Sequence, residues 1–69
     1  MILRPGTLLS EEANGQVALS RALPYGSVRR GNVAAVLAAL IARPEIRQEI
    51  LELTDGETPV ADAVAALAR

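Results

Sequence analysis

The chain's only ionisable side chains are seven arginines, eight acidic residues and the single tyrosine, because its 69 residues include no histidine, cysteine or lysine. That inventory removes imidazole-activated nucleophiles, thiolate chemistry and the usual zinc and copper ligands. Ser10, Ser20 and Ser27 have no base to activate them. Glu11 and Glu12 are neighbours in a polar stretch, and adjacent loop residues need not face one another as an acid/base pair must. Arg29-Arg30, the only basic pair, precedes a helix and has the chemistry to hold a phosphate or carboxylate there. The alternative is a solvated surface or an ion pair with Glu11 or Glu12. Tyr25, bracketed by Pro24 and Gly26, either touches a substrate or partner or covers the edge of a thin core. No residue is assigned to catalysis or to a metal.

The elements that must position these residues are short. Met1 to Leu3 reads as an apolar strand ended by Pro5-Gly6, since proline lacks the ladder N–H and glycine supports a sharp bend. Such a strand running into Arg4-Pro5-Gly6 is expected inside a larger sheet, with some neighbours supplied from elsewhere. Leu8 to Asn14 reads as loop, Asn14-Gly15 as a turn, and Gln16 to Leu19 as a short strand with Val17 and Leu19 on one face. Arg21 to Gly26 reads as an irregular loop.

From Arg30 the apolar period becomes helical, with Val33, Val36, Leu37, Leu40 and Ile41 forming one stripe. Ser27 or Asn32 is the expected N-cap, and Pro44 the stop. Glu49 to Thr54 alternates as a strand, placing Leu51 and Leu53 on one face and Ile50 on the other. Asp55-Gly56 turns the chain. Thr58 is then the expected N-cap of a second helix with Pro59 at its first position, an inner stripe of Val60, Val64 and Leu67, and alanines including Ala68 raising its propensity. The order strand, loop with short strand, helix, strand, helix predicts a small α/β unit of βαβ type with parallel strands.

Composition limits what such a unit does. One domain of residues 1–69 buries little core, and much of its 51% hydrophobic content is alanine. Seven basic against eight acidic residues leave a net charge of −1, so nothing steers the chain to nucleic acid. The longest uncharged apolar run, Val33 to Ala42, has ten residues, against the ~20 needed to cross a bilayer. Without a basic leader and cleavage site, the expected compartment is the cytoplasm. Open strand edges and apolar helix faces point to a homo-oligomer, with sheet edges paired between copies.

The spacing of these pieces resembles the atypical short-chain dehydrogenase/reductase family, the NAD(P)-binding Rossmann proteins related to NmrA-like regulators and flavin reductases. The similarity is to their C-terminal third and runs over essentially all 69 residues. Family members carry a late strand close to ILRPG, here Ile2-Leu3-Arg4-Pro5-Gly6. A segment like G-I-S-R-x-D-V-A-x-V-L follows, here Gly26-Ser27-Val28-Arg29-Arg30-Gly31-Asn32-Val33-Ala34-Ala35-Val36-Leu37. A strand like F-E-L-x-G-G has its counterpart in Ile50 to Gly56, and a helix opening T-P-I-x-x-A in Thr58 to Ala63. Asn32 stands where the family has aspartate, and Arg29 where it has a small polar residue.

The resemblance implies a Rossmann-like parallel sheet and places Pro5, Gly6 and Thr7 at the nicotinamide end of an NAD(P) cofactor, as a vestigial contact. The glycine-rich strand-to-helix turn that binds the pyrophosphate has no counterpart in the sequence, and without lysine the family's Tyr-x-x-x-Lys pair is impossible. The expectation is a remnant or truncated substrate-side region of an NAD(P)-dependent oxidoreductase-like protein, inactive alone and holding no cofactor in this chain. The alternative is a stand-alone homo-oligomeric interaction module.

Overall fold

The computed structural model describes residues 2–46 and 49–67. Met1 and Ala68, expected in the first strand and the last helix, lie outside the described residues. The elements are β1 (Ile2–Pro5), β2 (Thr7–Leu9), β3 (Gln16–Ser20), β4 (Ser27–Arg29), α1 (Arg30–Ile41), β5 (Ile50–Asp55), β6 (Thr58–Pro59) and α2 (Val60–Leu67).

Four strands form one sheet in the order β1-β5-β3-β6, and β2 pairs with β4 in a second. β1 runs parallel to β5, with Leu3 opposite Leu51 and Pro5 opposite Leu53, as expected for the crossover unit. β3 runs antiparallel to both β5 and β6, so the sheet is mixed. The fold is α/β with parallel strands, as the order of elements implied.

Alternation along β5 sends Leu51 and Leu53 inward, where both are fully buried with Val17 of β3. Val36 and Leu40 of α1 and Ala63 and Val64 of α2 complete the core with Val28 and Ile46. Full burial of each Leu or Val contributes about 1.5–3 kcal/mol relative to exposure, so these few side chains carry most of the fold. Since α1 and α2 also pack against each other, both helices lie on the Leu51/Leu53 face. On the opposite face Ile2 and Ile50, partners in register, remain 51% and 48% exposed.

Four local expectations are corrected. Pro5-Gly6 does not end extended structure: the chain turns a corner and resumes as β2, inside the stretch expected to be loop, where it pairs in parallel with β4. Thr58-Pro59 forms the short strand β6 against Gln16 and Val17, and the helix starts at Val60, one residue later than expected. Neither Ser27 nor Asn32 caps α1: Arg29 occupies the N-cap without a side-chain hydrogen bond. Finally, the α1 stripe is only half covered. Val36 and Leu40 are buried, but Leu37 is 44% and Ile41 81% exposed. Helical periodicity shows which residues share a face, and packing then covers only part of it.

Candidate functional site

The corner at Gly6 borders a concavity. The Gly6 N–H donates to the Leu53 carbonyl (2.9 Å) and the Thr7 N–H to the Gly26 carbonyl (3.0 Å), so consecutive amides join the two sheets. A Cβ on Gly6 would collide with the Gly26 carbonyl oxygen, which explains the glycine. Beyond this junction a cavity of about 460 Å³ opens between the Arg4–Thr7 segment, the Leu23–Gly26 loop and Glu52–Thr54 of β5. That volume is within the range of small-molecule sites.

Pro5, Gly6 and Thr7, named from sequence, all line this cavity. Their backbone donors are committed, because the N–H groups of Gly6 and Thr7 both serve the sheets and proline has none. What the segment presents is the Pro5 ring and the Thr7 hydroxyl, which is hydrogen-bonded to the Tyr25 hydroxyl. Tyr25 itself is 90% exposed, so it does not cover the core.

The loop carrying Tyr25 is fixed on each side. Arg21 forms an ion pair with Glu49 (2.6 Å), and the Leu23 N–H donates to Glu52 Oε1 (2.6 Å). The Arg21 hydrogen bond holds the Glu49 carboxyl below its ordinary value, with desolvation opposing and charge attraction adding. At the far end, Thr7 receives the loop through Gly26, and Gly26 sits beside the Thr54 side chain. Glu52 and Arg4, register partners in the parallel pair, supply opposite charges to the cavity wall. Sequence reasoning does not single out Glu52, Arg4 or Thr54, although the alternation that buries Leu51 and Leu53 puts Glu52 and Thr54 on the cavity side.

The remaining candidates do not join this site. Arg29 bonds Glu11 (3.3 Å) and Asp55 (3.5 Å), the ion-pair reading rather than an anion site. Glu12 is exposed. Asn32 is the main residue that sequence reasoning misplaces. It is fully buried, accepts from the Gly15 N–H (3.0 Å), and donates to Asn14 Oδ1 (2.9 Å), Gln16 O (3.3 Å) and Asp55 Oδ1 (2.9 Å). Asp55 Oδ1 also accepts the Arg29 N–H, so one polar cluster ties the start of α1 to the 14–16 turn and the end of β5. Among the described residues no group of three His, Cys, Asp or Glu side chains is placed to hold a metal.

Neither helix start among the described residues has the loop that cradles an NAD(P) pyrophosphate. Binding it requires free N–H groups in a loop at a helix N-terminus. Here β4 runs directly into α1 and β6 directly into α2, and the Val60 N–H is taken by the Gly15 carbonyl.

No protein-family profile matches the sequence. Over 66 residues the chain is 33% identical to a Bacillus subtilis (strain 168) protein called "Uncharacterized sugar epimerase YhfK", covering 96% of this chain and 31% of that one. The crystal structure of the oxidoreductase ylbE from Lactococcus lactis superposes with a TM-score of 0.88 at 26% identity, over 96% of this chain and 30% of that one. A Bacillus halodurans protein called "Putative NAD-dependent epimerase/dehydratase" gives 0.86 at 34% identity, over 94% and 31%. The chain therefore spans about 30% of the length of the relatives it matches. By sequence and by fold it is similar to that portion of proteins named as a sugar epimerase, an oxidoreductase and an NAD-dependent epimerase/dehydratase.

Proposed function

We propose that this chain is the C-terminal, substrate-side part of an NAD(P)-dependent epimerase/dehydratase-type protein, and that the cavity at Pro5-Gly6-Thr7 receives the reacting end of its ligands. The observation that supports this most is the convergence of the three residues named from sequence on one ligand-sized cavity with opposite charges in its wall. On this reading the dinucleotide phosphates and the acid/base pair are held by polypeptide outside the matched span, and residues 1–69 alone bind and catalyse nothing at the dinucleotide. Titration with NADPH and NADH, followed by amide shifts, tests it. Saturable binding tighter than ~100 μM, equivalent to about −5.5 kcal/mol, would overturn the division of labour.

A second reading concerns partners. β1 is an edge strand, and a groove lined by Leu3, Leu37, Leu40, Ile41 and Ile46 lies beside it. Exposed edges and apolar faces together favour association. We propose that in isolation the chain forms a homodimer through this edge and the Leu37/Ile41 face. Light scattering at micromolar concentration should give twice the chain mass, and a folded monomer would contradict it. We propose a cytoplasmic location with both readings. Among the described residues, no helix is long and apolar enough to cross a membrane.

A further inference from the structure

We infer that Asn14-Gly15 is a modification site, a self-deamidating asparagine held unreacted by the buried Asn32 amide, and that its conversion loosens the join between β3, β6 and α2. The site shares no residue with the cavity at Pro5-Gly6-Thr7.

The chemistry needs only the chain and water. The Gly15 nitrogen, once deprotonated, attacks the side-chain amide carbon of Asn14 and closes a cyclic imide, while the bond from that carbon to its NH2 group breaks. Ammonia leaves with the proton that the nitrogen gave up. Water then opens the imide at either carbonyl, giving aspartate, or isoaspartate when the backbone is rerouted through the side-chain carbon. Glycine favours ring closure because it has no Cβ to hinder the approach. The sequence has two asparagines, and only Asn14 precedes a glycine. Asn14 is exposed, so water reaches it.

The fold holds both reacting groups with one side chain. The Gly15 N–H donates to Asn32 Oδ1 (3.0 Å), and Asn14 Oδ1 accepts from Asn32 Nδ2 (2.9 Å) and from the Gln16 N–H (3.1 Å). Donors on Asn14 Oδ1 polarise the carbon under attack, which by itself favours reaction. The nitrogen must first lose its proton, however, and an acceptor facing that N–H stabilises the protonated form. Asn32 does not swing aside cheaply, since it is fully buried and also bonds the Gln16 carbonyl and Asp55. The consequence of conversion follows from the neighbours. The Gly15 carbonyl accepts the Val60 N–H at the start of α2, and the Gln16 carbonyl accepts the Gly56 N–H after β5. An isoaspartyl link lengthens the backbone just before both.

The test incubates the full chain at mildly alkaline pH, folded and in guanidinium chloride, and follows Asn14 by peptide mass and chromatography. Deamidation should be about tenfold or more slower in the folded chain, as expected for a reaction that waits on opening of buried hydrogen bonds. Asn32→Ala should remove most of that protection, whereas Gly6→Ala, which strains the fold away from the cluster, should keep it. Hydrogen exchange at Gly15 reads the same contact without a variant, and should be slower than at the exposed Glu12 and Ala13. The purified isoaspartyl product should unfold at lower denaturant. Equal rates folded and unfolded, equal acceleration by Asn32→Ala and Gly6→Ala, or Gly15 exchange as fast as at Glu12 and Ala13 would each overturn the role of Asn32. An unfolded chain that keeps Asn14 intact would overturn the site itself, and an isoaspartyl product with an unmoved midpoint would disprove the loosening.

Discussion

Gly6 and Gly26 meet backbone against backbone, with the Thr7 N–H donating to the Gly26 carbonyl at 3.0 Å and no room between them for a Cβ on Gly6. With the Thr7–Tyr25 hydroxyl contact, it ties β2 to the loop before β4 beside the cavity. Gly6→Ala should therefore lower stability by about 1–3 kcal/mol, the usual effect of overpacking against backbone. The measurement is a shift in the urea midpoint at constant slope. The cavity amides should move with it.

Gly15 provides a contrast, because its backbone sits at φ 74° and nothing lies within 4 Å of where a Cβ would stand. Gly15→Ala should cost about 1 kcal/mol through the left-handed backbone alone. Gly15→Asn should cost less, since asparagine tolerates that region, and neither change should disturb the cavity amides. Urea denaturation of the two variants side by side separates conformational strain from the steric collision expected at Gly6.

Asn32 and Asp55 form a buried donor–acceptor pair at 2.9 Å. Asn32→Ala should destabilise by about 1–3 kcal/mol, because Gly15, Asn14 and Gln16 lose a buried partner. Asn32→Asp should set two carboxylates together, so that the folded state holds a proton that the unfolded chain releases. A carboxyl whose folded pKa is raised makes stability fall as pH rises through and above the ordinary carboxylate range. Asn32→Asp should thus be least harmful in acid, and Asn32→Asp with Asp55→Asn should recover part of the loss at neutral pH. Thermal unfolding across pH checks the sign.

The Arg21–Glu49 pair gives the opposite pH dependence. Glu49 has its pKa lowered by Arg21, so its contribution is present above the unfolded carboxylate pKa and is lost as pH falls through the lower folded value. Arg21→Gln should raise the Glu49 titration midpoint towards the ordinary range, as read by carboxyl NMR. The effect on global stability should be small, as for exposed ion pairs generally.

Much of this organisation is legible in the sequence, and the exceptions have physical reasons. Alternation places Leu51, Leu53 and Val17 inward because a strand has a fixed period of two. The same period carries Glu52 to the cavity side, but only the loop that folds over it turns that position into a wall. β2 and β4 are three-residue strands whose pairing joins Thr7 to Ser27, a long-range contact that no local pattern signals. Thr58-Pro59 has the chemistry of a helix start, and tertiary pairing with Gln16 and Val17 draws it into the sheet instead. Asn32 resembles a cap because asparagines favour helix ends. Its burial depends on Asn14 and Asp55, which the fold brings from either side.

If the cavity at Pro5-Gly6-Thr7 receives only a ligand's reacting end while the dinucleotide phosphates are held elsewhere, this chain alone should not hold the dinucleotide. Amide-shift mapping of the unmodified chain, titrated with NADPH, is the decisive measurement. No saturable NADPH response tighter than ~100 μM is expected at any amide. Saturable NADPH binding tighter than that would contradict the division.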